Sequence, residues 1–100
     1  MRQYRHGDLL IVEVASIPAP ATASDDHVLA YGEVTGHAHR LDAGAWLFQL
    51  GETLYFRVPS EARLTHEEHH TITLPAGDYQ VVRQREYSPG AIHQMRWVVD

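Results

Sequence analysis

Trp46-Leu47-Phe48-Gln49-Leu50-Gly51-Glu52-Thr53-Leu54-Tyr55-Phe56-Arg57-Val58 is the stretch that decides the fold. Two runs of aromatic and aliphatic side chains flank Gly51-Glu52. A glycine in a two-residue connection supplies the positive φ of a tight hairpin. Working outward, Asp42-Ala43-Gly44 turns the chain into this hairpin, and Pro59-Ser60-Glu61 is expected to turn it out again. Further along, His70-Thr71-Ile72-Thr73-Leu74 alternates as a strand does, and Pro75-Ala76-Gly77-Asp78 reads as a second strong turn. Residues 79–87 form the longest strand candidate, stopped by Ser88-Pro89-Gly90, and residues 95–99 are expected as a final short strand. Upstream, Leu9-Leu10-Ile11-Val12-Glu13-Val14 is a strand with Leu10, Val12 and Val14 expected inward. Residues 17–26 read as one long loop and residues 28–35 as another strand.

No segment carries a helical 3.6-residue repeat, and turn signals recur roughly every eight to twelve residues. The expected fold is therefore all-β, a small barrel or sandwich of about eight short antiparallel strands in a single domain spanning residues 1–100.

Composition narrows the function. With no cysteine, thiolate metal sites, disulfides and thiol nucleophiles are excluded. With no lysine, so are Schiff-base and P-loop chemistry. A net charge of −5 argues against broad nucleic-acid binding but not against a local arginine cluster gripping one phosphate. No apolar run approaches the roughly 20 residues of a membrane span, and the N-terminus lacks a signal-peptide core, so a cytoplasmic location is expected. Ser16, Ser24, Ser60 and Ser88 all fall in expected loops, without a nucleophile elbow.

Five of the eight histidines fall in two clusters, Gly36-His37-Ala38-His39-Arg40 and Thr65-His66-Glu67-Glu68-His69-His70. On a strand, His37 and His39 share a face and offer two nitrogens to one metal ion. A further nitrogen from His66 or His69 would complete a three-histidine site with an open position. Glu67 or Glu68 would then be a fourth ligand or a general base. His66, Glu67 and His70 match the HExxH spacing literally, but that motif needs a helix and the flanks here are β-like. In Val81-Val82-Arg83-Gln84-Arg85-Glu86-Tyr87, period two puts Arg83, Arg85 and Tyr87 on one face, where two guanidinium groups would clamp a phosphate or carboxylate. His6, His27 and His93 are isolated and are expected at the surface or a strand edge.

The HxH on a strand, followed by a glycine turn and further strands, resembles the metal motif of cupins. That resemblance implies a glutamate ligand soon after the HxH, whereas the first here is Glu52, and a later histidine, here His66, His69 or His70. Gly7-Asp8-Leu9-Leu10-Ile11-Val12 with Gly32-Glu33-Val34 resembles the small barrel of co-chaperonin-10, which concerns the fold alone. The pattern of GEVTGHAHR, LTHEEH and the RQREY run also resembles short uncharacterised proteins of bacteria and phages.

The expected function is binding of a divalent transition metal, zinc, nickel, manganese or iron, for hydrolysis of a small anionic substrate. His37, His39, His66 and His69 are the candidate ligands, and Glu67, Glu68, Arg83, Arg85 and Tyr87 the candidate catalytic residues. One alternative is a metal-free phosphodiesterase or ribonuclease in which two histidines act as acid and base on single-stranded RNA. Another is a non-enzymatic interaction module of phage origin. A homodimer is compatible with either, since small β-domains expose strand edges.

Overall fold

The computed structural model describes residues 1–31 and 36–83. Its strands are β1 (Gln3–His6), β2 (Leu9–Val14), β3 (Thr22–Ser24), β4 (Val28–Tyr31), β5 (Ala38–Leu41), β6 (Trp46–Leu50), β7 (Thr53–Thr65) and β8 (Ile72–Arg83). All pairings are antiparallel within one sheet. The hairpin read from residues 46–58 is present, with Leu50 opposite Thr53 and Gly51 at φ 59°.

The strand order β1-β2-β8-β7-β5-β4, with β6 and β3 on a branch from β7, leaves the sheet unclosed as a barrel among the described residues. The branch arises because β7 is 13 residues long. One edge of β7 pairs with β8 along most of its length. The other pairs with β6 from Thr53 to Arg57, then with β5 at Leu64 and Thr65. Both halves of β7 feed one core, in which Leu9, Ile11, Phe56, Leu64, Leu74 and Tyr79 are fully buried. Phe56 stacks on Tyr79 at 5.1 Å between ring centres, and the Tyr79 hydroxyl donates to the Pro75 carbonyl at 2.7 Å.

Four expectations need correction. Pro59-Ser60-Glu61 and Pro75-Ala76-Gly77-Asp78 are not turns, since β7 and β8 run straight through them. The two breaker segments face each other instead, with Val58 opposite Gly77, Glu61 opposite Pro75 and a register shift between these pairs. A bulge accommodates proline's missing N–H, so a signal that ends an isolated strand here bends a paired one. The expected loop at residues 17–26 contains β3, paired with β6. The inner face of β2 carries Leu9 and Ile11, not Leu10, Val12 and Val14, because a run apolar at nearly every position does not mark its own face. Beyond these four, residues 3–6, for which the sequence reading set no element, form a strand of their own. The expected strand at 95–99, the continuation of β8 beyond residue 83 and residues 32–35 of the expected 28–35 strand lie outside the described residues.

Candidate metal centre

The β1–β2 turn, the start of β5 and the 66–71 connection between β7 and β8 meet at one end of the molecule. His37, His39, His66 and His69 line a single cleft of about 520 Å³ there, within the range of about 300–1,000 Å³ usual for small-ligand sites. Asp8, Glu68, Arg5, Arg83 and Tyr31 complete its wall. His39 and His66 are 4.4 Å apart between ring centres, His66 and His69 4.5 Å, and His39 and His69 5.8 Å. Three imidazoles tetrahedrally disposed on one ion at 2.0–2.1 Å would have ring centres about 5 Å apart. The two sequence clusters therefore meet in one cleft.

Sequence reasoning missed His6 and Asp8. His6 is 2% exposed and lies behind His39, with 2.8 Å between their Nδ1 atoms. Its Nε2 donates to the His70 carbonyl at 2.9 Å. The signal was legible in pairing: His6 stands opposite Leu9 and Tyr4 opposite Ile11, so an inward Leu9 and Ile11 carry His6 inward too. Asp8 places Oδ1 3.3 Å from His39 Nε2 and accepts from Arg83 Nε through Oδ2 at 3.2 Å. Gly7, at φ +64°, is what lets the turn approach so closely: a Cβ there would lie 2.6 Å from His69 Nε2 and 3.0 Å from His39 Cε1. Burial holds the pKa of His39 down at about 4, and burial likewise lowers those of His6 and His66. All three rings are thus held neutral, the form in which imidazole binds metal.

The two glutamates have different surroundings. Glu67 accepts from the Ala38 amide at 3.0 Å and from Arg40 at 3.1 Å. These bonds, the backbone amides first, hold its carboxyl at about 2, too weak a base for proton abstraction near neutrality. Its oxygens fasten the 66–71 connection to β5. It also forms, with His37 and His66, a group whose ligand atoms lie within 4.8 Å of one another. Glu68 projects from the rim, 3.3 Å from His37 Nδ1, and its amide donates to His66 Nδ1 at 3.0 Å. Arg83 reaches the cleft and also donates to the Tyr31 carbonyl at 2.9 Å. Arg85 and Tyr87 lie outside the described residues. The side chain of His70 is exposed, and its carbonyl, not its ring, serves the site.

Fold and cleft together define a small all-β domain with a histidine-lined pocket at an open seam of its sheet. The chain belongs to the family described as Domain of unknown function (DUF8820), matched over residues 5–84, a span that contains every histidine of the cleft. No curated protein and no solved structure matches it. No helix among the described residues is long and apolar enough to cross a membrane.

Proposed function

We propose that the cleft binds one divalent transition metal ion and uses it in hydrolysis of a small anionic substrate. The observation that carries this reading is the convergence of both histidine clusters on one cleft, with His39, His66 and His69 at ring spacings of 4.4, 4.5 and 5.8 Å and the ligand atoms of His37, His66 and Glu67 within 4.8 Å of one another. His66 joins through Nε2 once the Glu68 amide leaves its Nδ1. His37, on the rim, is the alternative third nitrogen. Imidazole suits zinc, nickel, manganese and iron, so availability decides among them. A bound ion would supply Lewis acidity and acidify a water, Glu68 at the rim would take up the proton, and Arg83 on the cleft wall would hold the anion.

The test is elemental analysis and native mass spectrometry of protein purified without a histidine tag, beside a His39→Ala/His69→Ala variant. Near-stoichiometric metal in the first and its loss in the second is expected. Wild-type protein that holds no metal, and takes up none when it is added, sinks the proposal.

The several imidazoles lining one cleft beside Arg83 favour a second reading, a metal-free phosphodiesterase acting on single-stranded RNA by acid–base chemistry. Cleavage that survives chelator and follows a bell-shaped pH profile would establish it in place of the first.

A further inference from the structure

The hydrogen bonds behind the cleft determine which atom of His39 faces it. The His70 carbonyl can only accept, so His6 Nε2, 2.9 Å away, carries a proton. In a neutral His6 ring, Nδ1 is then an acceptor, and its partner at 2.8 Å, His39 Nδ1, must be the donor. That leaves His39 Nε2 as a bare lone pair, 3.3 Å from a second acceptor, Asp8 Oδ1. Arg83 already offsets the charge of Asp8 through its other oxygen, yet two acceptors at this distance, one on a ring only 4% exposed, form a ready seat for a cation between them. Ligands held at 2.0–2.1 Å in a tetrahedral arrangement stand about 3.4 Å apart. The observed gap has that width.

We propose that His39 Nε2 and Asp8 Oδ1 are paired ligands of the metal ion, with His6 as the positioning residue that fixes the tautomer of His39. This rests on the metal reading of the cleft. The surroundings suit the pair: Arg83 Nε holds the other oxygen of Asp8 at 3.2 Å and so aims Oδ1 inward. Gly7, between His6 and Asp8, leaves room for His69 Nε2 to approach as a third ligand. A histidine ligand whose second nitrogen is engaged by a partner is the usual arrangement at metal centres. Here the partner is another histidine, itself anchored on a carbonyl. A single proton between His39 and Asp8 is the other way to relieve the contact, and the experiment separates the two.

Zinc and cobalt(II) binding to the full, untagged chain would be measured by calorimetry at constant pH for wild type, Asp8→Asn and His6→Phe. Circular dichroism would confirm that each variant is folded. Asp8→Asn is expected to weaken both metals at least about 100-fold and to change the visible spectrum of the cobalt-saturated protein, since a ligand atom is replaced. His6→Phe fills the same space but neither accepts from His39 Nδ1 nor donates to the His70 carbonyl, so it no longer dictates the His39 tautomer. It is expected to cost about 10–100-fold in affinity, the usual effect of a supporting partner, with the saturated cobalt spectrum unchanged. Wild-type binding with Asp8→Asn unaffected would overturn the ligand pair and leave the metal reading standing on the other imidazoles. Binding unaltered in a folded His6→Phe would remove its positioning role. A wild-type protein that binds neither metal would overturn the reading of the cleft and the pair together, with a proton as the occupant of the gap.

Discussion

Gly7 and His39 carry the most consequence for their size. Gly7 sits at φ +64°, and a Cβ there would press on the His69 ring. Gly7→Ala is expected to lose roughly 1–2 kcal/mol from the left-handed backbone alone, visible in a denaturant melt, and to weaken metal uptake further by displacing His69. His39 gives the metal-free protein a pH dependence of definite sign. Its native pKa of about 4 lies below the ordinary 6.5, so between those values the unfolded chain binds the proton and the folded one does not. Stability is full above about pH 6.5 and declines as pH falls toward 4, by an amount on the order of 3 kcal/mol at about 1.4 kcal/mol per unit. Lowered pKa values at His6 and His66 act in the same direction. Urea midpoints in the presence of chelator, from pH 8 to 4.5, would check it. A midpoint that held or rose on acidification would contradict a neutral His39.

Among the elements, the β7–β8 hairpin governs the shape of the domain. Leu64 lies beyond the bend, fully buried and opposite both Leu41 and Ile72. Leu64→Ala is expected to cost about 2–5 kcal/mol, read as a drop in melting temperature, whereas Arg57→Ala should leave that temperature almost unchanged, because its ion pair with Asp78 at 2.9 Å is at the surface. The strands themselves were largely legible in the sequence. The 46–58 hairpin follows from Gly51 between two β-rich runs, and the 9–14 strand from its apolar content. The bend was not legible, since Pro59 and Pro75 read one at a time are stops, and only their opposition across a ladder turns them into a shared bulge. The site divides the same way. Two histidine clusters announce themselves by density along the chain. His6 ends β1 and Asp8 lies in the two-residue turn that follows it, and their role depends on which face of β2 is buried, a fact set by the rest of the core.

For the molecule as a whole, the net charge of −5 contrasts with the two arginines, Arg5 and Arg83, on the wall of the cleft. An anionic substrate approaching an acidic protein would depend on such local groups. Arg83→Lys keeps the charge but loses the planar fork, and is expected to weaken phosphate binding by about 1–3 kcal/mol. Titration with phosphate would read this directly, and an unchanged affinity would take Arg83 out of the substrate site.

The open seam has one more consequence. Where a barrel would join its ends by a backbone ladder, this sheet brings them together through side chains, His6 of β1 against His39 of β5 and Arg83 of β8 on the Tyr31 carbonyl of β4. A ligand shared by the β1–β2 turn and β5 would therefore act as a clasp across the break. Amide hydrogen exchange is the natural gauge of such a clasp, because it reports local opening. Protection in β1 and β5 should rise together on loading, by RT ln(1 + [L]/Kd) if opening releases the ligand, while the 46–58 hairpin, which lies within the continuous ladder, keeps its own rate.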